Sequence, residues 1–152
     1  ELLLELSPLV QKESEADGGE LKPARIWDAF IRELVEVTGP YQLLDYEVRS
    51  VGGEREHCVA RLQVAENDVK IEGEGTGPID AFVNALASTL NESINVVDYQ
   101  EYALNEGSQA KAISIIKIAD SKANKCFGVG ISPNTTTAAF KSIIAALNRL
   151  WR

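Results

Sequence analysis

Two hydrophobic rhythms divide the chain near Thr38-Gly39-Pro40. Before that point apolar residues recur at helical spacing. Residues 2–15 read as a first helix, Asp17-Gly18-Gly19 as its stop, and residues 23–37 as a second helix with Ile26, Phe30, Ile31 and Leu34 on one side. Pro23 suits a first helical turn, where its missing N–H is no loss. Two short helices joined by an acidic turn bury little alone, so residues 1–38 are expected to be a helical linker subdomain packed on the following domain or an upstream one. From Tyr41 the period changes to two. Cys58, Ala60, Leu62 and Val64 face one side while Val59, Arg61 and Gln63 face the other, and Val69 and Ile71 alternate with Lys70 and Glu72. Strands are predicted at 41–51, 56–65 and 68–74, with turns at Gly52-Gly53 and Glu66-Asn67-Asp68. The next segment carries Ile79, Phe82, Val83, Leu86 and Leu90 on a helical stripe.

The same order then recurs. Leu44-Asp45-Tyr46 returns as Val97-Asp98-Tyr99, and Gly73-Glu74-Gly75-Thr76-Gly77-Pro78 as Gly128-Val129-Gly130-Ile131-Ser132-Pro133. Leu90-Asn91 returns as Leu147-Asn148, so the markers keep an offset of about 55 residues. Strands are expected at 95–104, 110–119 and 125–131, then a helix bearing Phe140, Ile143, Ile144, Leu147 and Trp151. The predicted fold is α+β: strand-strand-strand-helix units at about 41–91 and 95–150, duplicated into one layered domain over residues 39–152, because each helix needs a sheet face to cover. Duplicated modules of this kind tend to bind or pair rather than catalyse.

With 152 residues and 45% hydrophobic content the chain has material for a real core. Its net charge of −8, with Lys and Arg dispersed among more numerous acids, argues against nucleic acid as a partner. No apolar run approaches the ~20 residues of a membrane span, so no membrane partner is expected and residence is expected to be cytoplasmic. The chain opens without Met and within a helical pattern, which suggests a cut inside a longer parent. Cys58 and Cys126, the only two cysteines, have no C-x-x-C spacing and read as small core residues. His57, the single histidine, faces away from Cys58 and is expected to lie at the surface without metal or nucleophile partners.

The glycine-proline turns carry the most chemical promise. Gly73, Gly75 and Gly77 strip side chains from a strand-to-helix junction, and Pro78 fits the first helical position, leaving backbone N–H groups at a helix start that favours a carboxylate or phosphate. A second reading is that these glycines supply positive φ angles to a tight turn. The spacing is neither a dinucleotide fingerprint nor a Walker loop, since no Gly-Lys-Ser or Gly-Lys-Thr follows.

From Tyr41 onward the chain resembles the regulatory, dimer-forming C-terminal domain of the 2-isopropylmalate synthases. The resemblance rests on Gly73-Glu74-Gly75-Thr76-Gly77-Pro78 with Ala81-Phe82, on Val97-Asp98-Tyr99, on Gly107 and Gln109-Ala110, and on Gly128-Val129-Gly130-Ile131 running on to Ala146-Leu147-Asn148-Arg149. Glu20-Leu21-Lys22-Pro23 with Ile26-Trp27-Asp28-Ala29-Phe30 is similar to the linker subdomain of those enzymes. The resemblance implies feedback control, with L-leucine bound at a homodimer interface and turnover lowered in a distant catalytic barrel upstream in the same chain. Family enzymes condense acetyl-CoA with 2-oxoisovalerate using a divalent metal on a His-x-His pair. One histidine cannot supply that site, so this chain is expected to be catalytically silent and to hold no cofactor of its own, the metal belonging to the barrel.

Carried over by motif, the effector site falls on Gly75, Gly77, Ile79 and Asp80, on Val96 and Tyr99, and on Ala103, Ala110 and Ile131. Apolar members suit an isobutyl group, and helix-start N–H groups suit a carboxylate. Asp80 departs from the small residue the family leads one to expect: its carboxylate either accepts a ligand ammonium or stabilises the helix dipole. Tyr99 either touches ligand or shares a packing role with its counterpart Tyr46. Three functional classes follow: a leucine-sensing domain; the isoleucine-sensing domain of the related citramalate synthases, distinguished by only ~1–3 kcal/mol of apolar fit; and a structural dimerisation module or another amino-acid sensor. Three strands before each helix argue against an ACT-type sensor, whose strands and helices alternate.

Overall fold

The computed structural model describes residues 34–35, 37–103 and 110–151. The expected helix at 2–15, its stop and most of the helix at 23–37 lie outside the described residues, as do Leu104, Gly107 and Gln109.

Among the described residues alternation becomes strand, and the apolar stripes after the third and sixth strands become helix. β1 (Tyr41–Gly52), β2 (Arg55–Val64) and β3 (Asn67–Gly75) form an antiparallel sheet in chain order, followed by α1 (Pro78–Leu90). β4 (Ile94–Ala103), β5 (Ala112–Asp120) and β6 (Lys125–Ser132) form a second such sheet, followed by α2 (Thr135–Leu150). The fold is therefore the duplicated α+β arrangement expected from the repeat. Its turns differ in detail. Val64 pairs with Asn67, so the second hairpin closes on Ala65 and Glu66 rather than on Glu66-Asn67-Asp68. Ala65 takes φ 56° and donates its N–H to the Pro40 carbonyl at 2.8 Å, which fixes the loop one residue early. Asp68 is thereby freed to join the sheet, where its carboxylate meets Arg61 at 2.8 Å. β5 likewise begins at Ala112 and not at residue 110, because Ala103 opposite Ala112 is the last pair of the described ladder.

Both repeated markers acquire structural causes. The register slips between Leu43 and Asp45 in β1 and between Val96 and Asp98 in β4, so Leu44 and Val97 sit at equivalent bulges with their side chains exposed. Each bulge resets the alternation and turns the tyrosine two residues later inward: Tyr46 and Tyr99 both pack against the core. The Gly-x-Gly pairs let helix backbone rest on strand backbone. A Cβ on Gly73 would stand 2.6 Å from the Ala85 nitrogen, and one on Gly130 only 1.9 Å from the Ala138 carbonyl oxygen.

One core runs through both units. It joins Leu62 and Ile71 of the first sheet and Ile116 and Ile118 of the second to the buried faces of both helices. Phe82 of α1 stacks on Phe140 of α2 with centroids 4.1 Å apart, and Tyr46 meets Phe140 edge-on at 4.7 Å. A smaller cluster lies on the reverse face of the second sheet, where fully buried Leu34 covers Ile113 and Val129, with Ile131 at its margin. Among the described residues no helix is long and apolar enough to cross a membrane.

Candidate effector site

The start of α1 is built to stay open. Gly77 is its N-cap with no side-chain cap, and its backbone is extended at φ −175°. Gly73, Gly75 and Gly77 are absent from the positive-φ residues, so the tight-turn reading of these glycines does not hold. Gly73 and Gly75 admit the helix, whereas a Cβ on Gly77 would meet no atom within 4 Å. Pro78 occupies the first helical position as expected. Ala81 makes the first intrahelical bond, to the Gly77 carbonyl at 2.9 Å, so the N–H groups of Gly77, Ile79 and Asp80 have no intrahelical acceptor.

Beside this start lies an open cleft of about 490 Å3 between the units, within the usual range of small-molecule sites. Thr76, Gly77, Ile79, Asp80, Val83 and Asn84 come from the first unit, and Ile94, Asn95 and Val96 from β4 of the second. Val83 and Ile94 are buried and make an apolar floor. Asp80 Oδ2 accepts from the Thr76 N–H at 2.9 Å and from its hydroxyl at 3.3 Å. An acid at the third helical position reaching back in this way closes the first turn and complements the dipole, a contribution of about 0.3–1 kcal/mol. This contact of Oδ2 supplies the helix-stabilising role considered for Asp80.

The equivalent start in the second unit is filled. α2 begins two residues beyond Pro133, its N-cap Asn134 accepts from the Thr137 N–H at 3.0 Å, and the Tyr46 hydroxyl lies 2.5 Å from Thr137 Oγ1. Tyr46 thus closes a helix start as well as packing on Phe140. Tyr99 takes a different partner, its hydroxyl lying 3.3 Å from Ser114 Oγ.

Of the nine motif-derived residues, Gly77, Ile79, Asp80 and Val96 line one cleft. Gly75 is buried under Asp80, whose Oδ2 stands 2.4 Å from where a Cβ would be. Tyr99 follows Val96 on the inner face of β4. Ala103 shares that face but lies seven residues on, roughly 20 Å at about 3.3 Å per residue. Ala103 and Ala110 instead line a second cleft, of about 400 Å3, beside the start of α2. Ile131 is on the opposite face of the sheet, in the Leu34 cluster. Val83, Asn84 and Ile94 were missed. Val83 belongs to the same helical stripe as Ile79, which sequence periodicity assigns to core.

Elsewhere, His57 lies on the outer face of the first sheet, opposite Cys58, and is held there by carboxylates. Its Nε2 lies 2.8 Å from Glu72 and its Nδ1 3.5 Å from Glu74, because β3 sets two carboxylates on either side of it, and only 15% of the side chain is exposed. Burial pushes the Cys58 thiol up to about 11, in keeping with a core residue. Among the described residues no group of three or more His, Cys, Asp and Glu side chains converges as a metal site.

The chain is thus a duplicated βββα domain with a ligand-sized cleft at the boundary of its units. Residues 20–151 match the LeuA allosteric (dimerisation) domain, and the chain belongs to that family. Similar proteins include the 2-isopropylmalate synthase of Clostridium acetobutylicum, 38% identical over 95% of this chain and 27% of its own length. Those of Rhizobium meliloti (37% identical; 98% of this chain, 27% of the relative) and Mycobacterium leprae (33%; 97% and 24%) are also similar. The chain thus spans about a quarter of the length of these relatives.

Proposed function

We propose that this chain is the L-leucine-sensing, dimer-forming part of a 2-isopropylmalate synthase, with residues 1–38 as linker toward an upstream catalytic barrel and 39–152 as the sensing domain. The observation that carries the reading is the start of α1, with no side-chain cap on Gly77, opening onto a cleft with an apolar floor and a polar rim, while the equivalent start of α2 is filled from within. An amino-acid carboxylate is received by the N–H groups of the first turn, where the helix dipole favours negative charge. Ile79, Val83, Ile94 and Val96 then meet an isobutyl side chain. Rim oxygens, Asp80 among them, remain for the ammonium.

The rest of the motif-derived set is assigned to a second copy. Ala103, Ala110 and Ile131 lie too far along β4, or on the wrong face of its sheet, to join this cleft within one chain. Tyr99, between the two groups, is placed at the junction. Feedback follows if leucine binds one arrangement of the linked domains better than another, since equal affinity shifts nothing. The test is titration of the purified chain with L-leucine, L-isoleucine and L-valine by calorimetry, with light scattering for mass. Selective leucine binding to a dimer is the expected result; a well-folded dimer that binds none of the three sinks the reading.

A further inference from the structure

The repeated Leu-Asn pair has diverged in its work. Asn91 ends α1 as a left-handed cap at φ 53°. Asn148 is only 2% exposed and turns its amide away from its own helix. Its Oδ1 accepts from the Tyr41 N–H at 3.0 Å, and its Nδ2 donates to the Tyr41 carbonyl at 2.8 Å and to that of Val37 at 3.5 Å. The side chain thus pairs with Tyr41 as a neighbouring strand would. Gly39 is shaped to this contact, since a Cβ there would stand 2.3 Å from Asn148 Oδ1. The Tyr41 ring also packs on Trp151 at 5.9 Å.

We infer that Asn148 is a positioning residue whose amide clasps the entry segment 37–41 to α2, and that this clasp is thermodynamically coupled to the effector cleft. The coupling rests on the leucine reading above and on a shared boundary. Tyr41 heads the first unit and Asn148 belongs to the second, so the clasp holds the units in one mutual placement. The cleft spans the same boundary, between the start of α1 and the start of β4. A ligand bridging those walls favours the placement that the clasp also favours. Because coupling is reciprocal, whatever factor leucine adds to the clasp, loss of the clasp removes from leucine affinity. The entry segment is the chain's route to everything upstream, so the clasp is where occupancy of the cleft is handed on.

The experiment measures exchange of the Tyr41 amide by NMR with and without L-leucine, and leucine affinity by calorimetry, in the unaltered chain and in Asn148→Asp. Aspartate can still accept from the Tyr41 N–H, but it sets an oxygen against two carbonyls. Leucine is expected to slow exchange at Tyr41 about fivefold or more, and Asn148→Asp to weaken leucine binding by the same factor. Gly39→Ala displaces the amide from the entry-segment side while leaving the sequence of α2 unaltered, and serves if the first variant does not fold. Leucine binding that leaves Tyr41 exchange unchanged, or variants that bind with undiminished affinity, overturn the coupling. Absence of leucine binding to the unaltered chain removes the effector reading and this inference with it.

Discussion

Glycines that look alike in sequence have opposite tolerances, and the difference separates folding from function. Gly130→Ala drives a methyl to 1.9 Å from the Ala138 carbonyl, a backbone atom unable to step aside, and is expected to cost about 3 kcal/mol or more by urea denaturation. Gly77→Asp faces open space and supplies a good N-cap, so stability should hold or rise by about 0.3 kcal/mol. Its charge lies where the leucine carboxylate is assigned, and leucine binding should disappear from the calorimeter. Undiminished binding would remove the cleft from the effector site. Neither role was legible from the glycines alone: spacing marked a strand-to-helix junction, but the approach of helix to strand decides which glycine serves packing. Asp120 offers a third test. Burial raises its pKa, but hydrogen bonds from Asn124, the Lys122 N–H and Trp151 outweigh this and hold the carboxyl below its ordinary range. A depressed folded-state pKa gives stability that is complete above the unfolded value, about 3.9, and is lost as pH falls through the folded value. Asp120→Asn should therefore flatten the acid limb of the stability curve below about pH 4; an unchanged limb would contradict the assignment.

At the scale of elements, periodicity reported what it physically measures. Six strands and two helices lie where alternation and helical stripes placed them, because each element has one face on the core. Boundaries moved where a local contact intervened. The Ala65–Pro40 bond pulled the second hairpin forward a residue, and the ladder ending at Ala103–Ala112 left Ala110 outside β5. Leu44 and Val97 break the alternation at bulges, which is why Leu-Asp-Tyr was visible as a repeat before its cause was. The joint between units was hidden, since no spacing rule indicates that Phe82 stacks on Phe140. That stack is one contact in a core shared by both sheets and both helices, and the shared core joins the two units into one body. Phe140→Ala, made in a Trp27→Phe background so that fluorescence reports Trp151, should cost about 3–5 kcal/mol and still give a single unfolding transition when that fluorescence and far-ultraviolet dichroism are compared. Separate transitions would mean that the repeats fold independently.

At the scale of the whole molecule, the proposed site set is split, and the split bears on assembly. Motif matching gathers residues that act together without saying whether they act within one chain. The structure separates them: Val96 borders one cleft, Ala103 another, and Ile131 lies behind the sheet. β4 is an edge strand whose inner face beyond Tyr99 carries exposed Glu101 and Ala103, and Tyr102 on its other face is 51% exposed. On the proposed leucine reading, a second copy seated here covers the exposed strand and brings Ala103 and Ala110 to the cleft. Ala103→Trp decides the matter. The side chain is exposed, so the change should alter monomer stability by less than about 0.5 kcal/mol, and at roughly 20 Å along β4 it cannot reach its own chain's cleft. If a partner's Ala103 completes the site, the variant should lose leucine affinity at least tenfold, and light scattering should show a weakened dimer. Unaltered chain diluted below its dimer dissociation constant should lose leucine binding in the same way. Full binding by Ala103→Trp, or by the diluted monomer, would place the whole site in one chain and leave Ala103 and Ala110 to contacts of another kind.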